Sequence, residues 1–319
     1  MNLQIDRLGS GGRIDRTKRL NFTFDGKAYV GYQGDTLASA LLANGVRLVG
    51  RSFKYHRRRG VYSAGPEEPN ALVQLRKGER TEPNTRATMI ELFEGLVATS
   101  QNRWPSLAFD LQSINQWFAS VIPAGFYYKT FMWPAKFWML YEKVIRHAAG
   151  LGHAPKVKDP DHYAYEYAHC DVLVVGSGPA GLAAARKLAE TGLQVVLADE
   201  RAELGGSCLW TRHSIDGVAA SDWAQSQIAA LAERPNVRLL ARSTVFGCYD
   251  HGLLTIAERV TDHLATPPSH LPRQRLIHLR TKKVILASGP IERPLVFADN
   301  DKPGVMLANA LQILSLIHI

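Results

Sequence analysis

Two patterns of apolar and polar positions divide the chain. In its first part, short stretches alternate apolar with polar residues, as half-buried strands do. RLNFTFDGKAYVGYQGDT predicts two such strands joined at Asp25-Gly26, a dipeptide typical of hairpin turns. A helix over Leu37–Ala43, begun by Asp35, and further strands in VRLVG and ALVQLRKGERTEPNTRATMIEL follow. This order of strands around one helix favours a β-grasp module over residues 19–94.

The second part of the chain alternates apolar runs with amphipathic helical stretches. Such alternation is typical of an α/β fold with a parallel sheet. The first strand is expected at Asp171–Val175, the first helix at Ala180–Glu190 and the second strand at Gln194–Asp199. The remaining expected elements are a helix over residues 219–233 and strands over 237–241, 243–249, 253–259, 275–280 and Lys283–Ala287.

A glycine pattern, GSGPAG, connects the first strand of this second part to its first helix. Gly176 permits the tight turn after the strand, Gly178 lets a pyrophosphate approach the backbone, and Gly181 lets the helix pack on the sheet. The N–H groups at the start of the helix, around Ala180, are expected to face the phosphates. Because the pattern lies between a predicted strand and helix and is followed by an acidic pair, it predicts a dinucleotide-binding site.

The acidic pair, Asp199 and Glu200, ends the second strand, where such units bind the adenosine ribose. One carboxylate is expected to accept hydrogen bonds from the ribose hydroxyls, with Asp199 favoured by its position and Glu200 second. A carboxylate there repels a 2′-phosphate, so NAD or FAD is favoured over NADP. Arg201 either flanks the ribose or adenine, or favours NADP by binding its 2′-phosphate, and the sequence leaves this open.

Three later segments complete the predicted site. Gly206 and Ser207, after the acidic pair, are expected to keep the chain close to the cofactor and to offer a hydroxyl. Val245, in a later strand, is the candidate contact for the adenine. Ala287 and Gly289, in an Ala-Ser-Gly sequence, are expected to close the site.

The predicted domain organisation follows from these patterns. Residues 1–18, rich in glycine and charge, predict a mobile arm, and residues 19–94 the β-grasp module. Residues 95–168 hold four of the six tryptophans and the run FYYKTFMWP, and predict a connector that packs its aromatic side chains on another domain or subunit. Residues 169–319 predict a dinucleotide-binding domain that is expected to be incomplete.

Composition narrows the protein classes further. The 319 residues, 46% hydrophobic and 21% charged, suit about two globular domains. Three widely spaced cysteines, Cys170, Cys208 and Cys248, argue against a disulfide scaffold or a cysteine-built metal site, and no histidines have ligand spacing. The N-terminus lacks the apolar core of a signal peptide, so a reducing cytoplasm is expected. The uncharged stretch 111–128 is too polar to span a membrane.

The net charge of +9 is compatible with a nucleic acid, an acidic partner or an anionic cofactor. The densest cluster of basic side chains lies at residues 51–59. Because no helix-turn-helix or RNP-like pattern accompanies this cluster, we expect a solvated loop or a subunit contact there, and no binding of nucleic acid.

Five segments together resemble the alpha subunits of bacterial heterotetrameric sarcosine oxidases. They are RSFKYHRRRGVYSAGPEEPNALV, FYYKTFMWP, GSGPAG, LADERAELGGS and PIERPLVFADNDKPGVM. The resemblance covers nearly the whole chain. It implies a β-grasp module, a Rossmann-type domain of the two-dinucleotide-binding flavoprotein class, and a C-terminal folate-binding domain. The last has no counterpart here, and LSLIHI does not match the expected continuation, so a truncated chain is expected.

The resemblance also implies a ferredoxin-like β-grasp module without an iron–sulfur cluster. In related multi-subunit dehydrogenases the module binds a [2Fe–2S] cluster through cysteine thiolates. The corresponding loop here, VYSAGPEEPNALV, has Ser63, Glu68 and Ala71 near the expected positions, and no cysteine precedes Cys170. The module is therefore expected to be structural and to bind no metal.

The chemistry implied by the resemblance is oxidation of the N-methyl group of sarcosine, with release of glycine, formation of hydrogen peroxide from O2 and transfer of the one-carbon unit to tetrahydrofolate. NAD is then expected on this chain, FAD and FMN on or beside the beta subunit, and tetrahydrofolate on the missing C-terminal part. The expected partners are the beta, gamma and delta subunits. No residue of this chain is identified as catalytic.

Two alternatives stay open from the sequence. The chain is also compatible with the large subunit of an opine or amino-acid dehydrogenase or of hydrogen cyanide synthase. The absence of cysteines from the module and the run FYYKTFMWP favour the sarcosine oxidase family over these relatives. The other alternative is a non-catalytic scaffold that binds a dinucleotide only to hold its shape.

Overall fold

The structure is a computed structural model that describes residues 4–120, 125 and 133–318. Most of the FYYKTFMWP run, residues 126–132, lies outside this part of the chain, as do residues 121–124 of the uncharged stretch. Within the described ranges, no helix combines the length and the apolar character needed to cross a membrane.

The chain folds into two compact units. The first contains Met1–Asp159 and Glu292–Ile319, and the second contains Pro160–Ile291. The sequence predicts that Glu292–Ile319 belong to the dinucleotide-binding domain, whereas the structure packs this segment within the first unit. There the backbone N–H of Leu307 donates to the carbonyl of Tyr62 at 2.9 Å. The limits of the four predicted domains stay predictions.

Two main sheets and the helices packed on them carry the fold of the described residues. The strands, in chain order, are β1 (Asp15–Phe24), β2 (Lys27–Gln33), β3 (Gly50–Arg51), β4 (Arg58–Arg59), β5 (Leu72–Leu75), β6 (Glu82–Arg86), β7 (Leu96–Ser100), β8 (Tyr163–Val175), β9 (Val195–Ala198), β10 (Ser214–Ile215), β11 (Val218–Ala219), β12 (Val237–Leu240), β13 (Ser243–Tyr249), β14 (Leu253–Arg259) and β15 (Gln274–Leu286). The α-helices are α1 (Leu37–Ala43), α2 (Trp138–Ala148), α3 (Pro179–Glu190), α4 (Ala220–Ala232) and α5 (Ala308–Ile313). Shorter helical turns lie at Gly78–Arg80, Ala87–Met89, Leu111–Phe118, Ala135–Phe137, Gly206–Leu209, Asp250–Gly252 and Leu314–His318.

The sheet of the first unit has the strand order β2-β1-β7-β5-β6. β1 pairs antiparallel with β2 through the predicted hairpin at Asp25-Gly26, where both residues have positive φ, and pairs parallel with β7. Leu37 and Leu41 of α1 are fully buried in the core formed with this sheet. A central parallel pair of strands covered by one helix is the predicted β-grasp fold, which is confirmed.

Two local predictions in this unit are wrong. Within VRLVG only Gly50 belongs to a strand, and the strand that completes the main sheet is β7, in the segment predicted to be the connector. Thr36, not Asp35, caps α1, because the Thr36 hydroxyl accepts the backbone N–H of Ser39 at 3.2 Å. The reason is that the Asp35 carboxylate is turned inward, where it accepts the Ser39 hydroxyl at 2.8 Å.

The N-terminal segment packs on the module where it is described, although its sequence predicts a mobile arm. Arg7 and Asp35 form an ion pair at 2.6 Å, and their side chains are 3% and 0% exposed. The N–H of Asp6 donates to the carbonyl of Ala43, at the end of α1, at 3.1 Å. Because removal of one partner from a buried ion pair is costly, residues 4–14 contribute to the folded module.

Most aromatic side chains of the predicted connector are exposed where they are described, whereas Trp138 and Tyr141 are half-buried. Trp117 and Trp133 are 82% and 81% exposed, and Trp104 is 58% exposed. Large apolar side chains that are exposed on one chain are typical of a surface that contacts another domain or subunit. That such a contact covers them stays a prediction.

The second unit contains a six-stranded sheet in the order β12-β9-β8-β15-β14-β13. β12, β9, β8 and β15 run parallel, whereas β14 pairs antiparallel with both β15 and β13. Leu182 of α3 and Leu231 of α4 are fully buried against this sheet together with Leu197 of β9. The predicted α/β, Rossmann-type arrangement is confirmed.

Strand lengths in the second unit differ from the prediction at two places. β8 begins at Tyr163, and the strands expected at 275–280 and Lys283–Ala287 are one continuous strand, β15. Lys282, the basic residue between those two segments, does not interrupt the strand. Lys282 lies at the surface and pairs with Asp171 of β8 at 2.7 Å, so its charge stabilises the pairing instead of ending it.

Candidate dinucleotide-binding site

The glycine loop between β8 and α3 contains two kinds of glycine. At two positions close packing leaves no room for a side chain, and at a third the space beside the Cα atom is empty among the described residues. Gly176 has φ +98°, and a Cβ atom there would collide with the carbonyl of Ala287. A Cβ atom at Gly181 would overlap the carbonyl oxygen of Gly176. At Gly178, by contrast, a Cβ atom would have no neighbour within 4 Å among the described residues. Gly178 therefore leaves room for a ligand against the backbone, as a pyrophosphate requires.

The start of α3 supplies the donors for an anion. Gly178 is the N-cap in an extended conformation, and Pro179 follows within the first turn. The first N–H groups of a helix have no acceptor within the helix and carry the positive end of its dipole. Ala180, in that turn, is exposed. The arrangement can therefore bind phosphate oxygens through the backbone.

Asp199 is buried at the end of β9 and braces the glycine loop. One oxygen of its carboxylate, Oδ2, accepts the backbone N–H of Ser177 at 2.7 Å and the Ser177 hydroxyl at 2.5 Å. The other oxygen, Oδ1, accepts the backbone N–H of Arg201 at 2.9 Å. Each carboxylate oxygen can accept about two hydrogen bonds, so Oδ1 keeps capacity for one ligand hydroxyl.

Glu200 follows Asp199 and is half-buried. Its backbone carbonyl accepts a hydrogen bond from the Arg259 guanidinium at 2.7 Å, which fixes the chain where β9 ends. The guanidinium carbon of Arg201 lies 4.9 Å from the centre of the Trp210 ring, in a cation–π contact. The structure therefore gives Arg201 an aromatic partner, which the sequence did not indicate.

The second glycine segment lies directly on the first. Gly206 has φ +51°, and a Cβ atom there would be 2.7 Å from the Cα of Gly178. The backbone N–H of Gly205 donates to the Ser177 hydroxyl at 2.9 Å. Ser207 follows and is exposed. Ser177 thus joins three parts of the predicted site, although sequence reasoning treated it only as the variable position of the glycine motif.

The remaining predicted residues lie around this loop to different extents. β13 begins beside the acidic pair, because the N–H of Ser243 donates to the carbonyl of Asp199 at 2.7 Å. Val245, two residues further, packs partly on the core of the unit. The N–H of Ala287 donates to the carbonyl of Val175 at 2.8 Å, which places it against the glycine loop. Gly289 has φ +73° and open surroundings among the described residues.

The thiols of the second unit do not form a reactive pair. Cys170, Cys208 and Cys248 are all free. Burial raises the pKa of the Cys170 and Cys208 thiols, which keeps both in the unreactive protonated form. Among the described residues, no group of three or more histidine, cysteine or acidic side chains is arranged to hold a metal ion.

Two family models match the chain. One, described as a 2Fe-2S iron-sulfur cluster binding domain, matches residues 17–103. The other, described as pyridine nucleotide-disulphide oxidoreductase, matches residues 170–314, which include the glycine loop and the acidic pair. Because residues 17–103 contain no cysteine, the residues present do not fit a cysteine-bound cluster.

Several known proteins are similar to this chain. It is 56% identical over 307 residues to the sarcosine oxidase subunit alpha of Rhizobium meliloti (strain 1021), across 96% of this chain and 31% of that protein. It is 36% identical over 308 residues to the subunit of the same name from Corynebacterium sp. (strain U-96), across 95% of this chain and 27% of that protein. The chain therefore spans about a third or less of the length of these curated relatives.

Among solved structures, L-proline dehydrogenase from P. horikoshii superposes with a TM-score of 0.57. The superposition covers 91% of this chain and 44% of that chain, at 20% sequence identity. At that identity the likeness supports the fold alone. The identity to the curated relatives extends through both units, and over the length that it spans this chain belongs to the family of sarcosine oxidase alpha subunits.

Proposed function

We propose that the second unit binds NAD and that the chain is the NAD-binding part of a sarcosine oxidase alpha subunit. The observation that carries the proposal is the joined pair of glycine segments. Gly206 lies against one side of Gly178, while a Cβ atom at Gly178 would have open surroundings. This is the space that a pyrophosphate needs above the start of α3.

The chain's own residues bind and orient the nucleotide in three places. The backbone at Gly178 and Ala180 donates to the pyrophosphate. The free capacity of Asp199 Oδ1 accepts a ribose hydroxyl, and Glu200 accepts the second from the adjacent turn. Ser207 offers a further hydroxyl, and Val245 contacts the adenine. When bound, NAD supplies a nicotinamide ring capable of hydride transfer.

Ala287 and Gly289 close the proposed site on the side of β15. Gly176 has no room for a side chain because Ala287 lies against it. The glycine loop at Gly176 and the segment after β15 at Ala287 therefore lie next to each other. Gly289 leaves the backbone free to approach a ligand, as Gly178 does.

The acidic pair favours NAD over NADP in this proposal. A 2′-phosphate next to Asp199 and Glu200 brings like charges together, which is unfavourable. Arg201 is held over the Trp210 ring rather than beside a second anion among the residues described. FAD has the same adenosine ribose, so it is the competing ligand for this site.

In the proposed complex, the N-methyl group of sarcosine is oxidised, glycine is released and O2 becomes hydrogen peroxide, while the one-carbon unit passes to tetrahydrofolate. FAD and FMN are assigned to or beside a beta subunit, and tetrahydrofolate to residues outside this chain. Gamma and delta subunits complete the heterotetramer, in the cytoplasm. The identity to sarcosine oxidase alpha subunits supports this assignment.

The proposal is tested on the full-length alpha subunit co-expressed with its partner subunits. Heat release followed by nucleotide analysis measures NAD and FAD in the parent complex and in Gly178→Ala. Peroxide formation is measured with sarcosine and, as the competing substrate, with an opine. We expect NAD in the parent, its loss in the variant and peroxide with sarcosine. FAD in place of NAD on this subunit, or peroxide only with the opine, contradicts the proposal.

A further inference from the structure

One loop of the first unit, between β4 and β5, closes around the side chain of Glu68, which is 1% exposed. One carboxylate oxygen accepts the backbone N–H groups of Tyr62 and Ser63 at 2.8 and 2.6 Å. The other accepts those of Asn70 and Ala71 at 2.8 and 3.0 Å. Four donors from both ends of the loop therefore converge on a single anionic group.

The loop and this carboxylate depend on each other. Hydrogen bonds to Glu68 from the described residues come from these four N–H groups and from the Ser63 hydroxyl at 3.3 Å. Ser63 and Ala71, which carry two of these N–H groups, are at most 1% exposed, so water does not replace their hydrogen bonds to Glu68. A buried charged group is tolerated only when hydrogen bonds compensate its lost hydration. Conversely, without the anion all four N–H groups lose their acceptor, and those of Ser63 and Ala71 are buried.

This arrangement disagrees with the description of the matching family model. That model describes a domain that binds a 2Fe-2S cluster, whereas residues 17–103 contain no cysteine. The resemblance places the cluster ligands near Ser63, Glu68 and Ala71. In this chain one of these positions is an anion that binds the backbone of the other two.

We propose that Glu68 is a built-in anion that orders this loop in place of a cluster, and that the ordered loop is the docking site for residues 299–307 of the same chain. Tyr62 connects the two roles. Its N–H donates to Glu68, and its carbonyl accepts the N–H of Leu307 at 2.9 Å. Displacement of the loop therefore displaces the acceptor of Leu307.

Two further contacts hold residues 299–307 on this loop. A Cβ atom at Gly60 would lie 2.8 Å from the Cα of Pro303, so the backbones meet without a side chain between them. Arg57 and Arg59 both pair with Asp301, at 2.7 and 2.9 Å. Part of the basic cluster at residues 51–59 thus neutralises an acidic residue of the docked segment.

Hydrogen–deuterium exchange of individual backbone amides tests the proposal. The variants are Glu68→Gln, Glu68→Ala and Gly60→Ala in this chain, with Glu79→Gln at an exposed position of the same unit as the matched control. An amide side chain keeps the volume of Glu68 but turns a donor toward one pair of N–H groups. We expect exchange at Tyr62 or Asn70 and at Leu307 to rise about tenfold or more in Glu68→Gln.

Gly60→Ala separates the two parts of the proposal. It is expected to raise exchange at Leu307 while Ser63 and Ala71 stay protected, because their acceptor is intact. Protection of Leu307 that is unchanged in a folded Glu68→Gln protein overturns the docking role. If Glu68→Ala does not fold, the exchange rates of Glu68→Gln still test both parts of the proposal. Protection of Tyr62, Ser63, Asn70 and Ala71 equal to that of the parent in Glu68→Gln overturns the role of the anion.

Discussion

The hydroxyl of Ser177 donates to the carboxylate of Asp199 at 2.5 Å, and both side chains are buried. This hydrogen bond ties the glycine loop after β8 to the end of the neighbouring strand β9. The same hydroxyl accepts the N–H of Gly205, so one side chain connects three segments of the proposed site. The geometry of the loop therefore depends on a residue outside the glycine positions.

We expect Asp199→Asn to loosen the glycine loop. Its amide must turn an N–H group toward either the N–H of Ser177 or that of Arg201, where both are donors. Hydrogen bonds to charged groups contribute about 1.5–3 kcal/mol each. At 1.4 kcal/mol for each factor of ten, NAD binding should weaken about 10- to 100-fold, with a lower thermal unfolding temperature. Calorimetric titration with NAD and thermal unfolding measure both effects. Asp222→Asn, exposed in the same unit, is the control, and parent-like values for Asp199→Asn contradict the prediction.

The two acidic residues should differ in what they contribute. Asp199→Ala removes the brace and one proposed ribose contact, so it should reduce both stability and NAD affinity. Glu200→Ala should reduce NAD affinity by about tenfold, the loss of one charge-assisted hydrogen bond, with a smaller loss of thermal stability than in Asp199→Ala. Titration of both variants with NAD and with NADP distinguishes these roles. Equal affinity in both folded variants and the parent means that the ribose binds elsewhere.

Two glycine substitutions should separate ligand binding from folding. Gly178 has φ −66°, which alanine adopts freely, and open surroundings, so Gly178→Ala should fold normally. Its methyl group occupies the proposed pyrophosphate position, so NAD affinity should fall at least tenfold. Gly181→Ala places its methyl group on the carbonyl of Gly176 and should destabilise the whole unit. Circular dichroism and NAD titration report the two outcomes, and an unstable Gly178→Ala protein speaks against the assignment.

The purified chain should contain no stoichiometric iron. Cysteine is absent from residues 17–103, and the carboxylate of Glu68 occupies the donors of the loop that corresponds to the cluster loop. Anaerobic treatment with iron and sulfide should leave the absorbance spectrum unchanged. Metal analysis and acid-labile sulfide measure this directly, and about two irons per chain contradict it.

Acid should weaken the second unit through Glu166 of β8. Hydrogen bonding by the Arg238 guanidinium holds the pKa of the Glu166 carboxyl below its usual range. Because this pKa is lowered in the folded protein, the ionised Glu166 stabilises the fold fully above its pKa in the unfolded chain, about 4.3. This stabilisation is lost as the pH falls through the pKa of the folded protein. Unfolding temperatures of the parent and Glu166→Gln should therefore differ at pH 7 and converge toward pH 3. Glu233→Gln, at an exposed position, should match the parent throughout.

The sequence predicts the glycine loop well because its requirements are local. Gly176 needs positive φ and Gly181 needs close packing within a few residues, so spacing alone encodes both. The role of Ser177 is different, since its partner Asp199 lies 22 residues away and any small residue suits the motif. The strand β7 was missed for the same reason: its partner β1 is more than 70 residues earlier in the chain, and five residues carry little pattern of their own.

The cap of α1 shows how burial overrides a local preference. Asp35 has the chemistry of an N-cap, but its carboxylate is buried beside Arg7, and Thr36 takes the cap. The residues next to Asp35 in the sequence do not indicate that Arg7, 28 residues away, is its partner. Likewise, the sequence indicates only that Glu68 is a polar residue in a turn. The structure shows that its carboxylate accepts four backbone N–H groups.

The long pairing of β8 with β15 has a consequence for synthesis on the ribosome. The two strands pair from Tyr163 with Gln274 to Val175 with Leu286, so they are separated by about 110 residues of chain. β9 can cover one edge of β8 early, but the other edge has no native partner until Leu286 has left the exit tunnel. Until then an apolar strand edge is open to wrong pairing. The nucleotide-binding unit is thus completed only when nearly all of its residues have been translated.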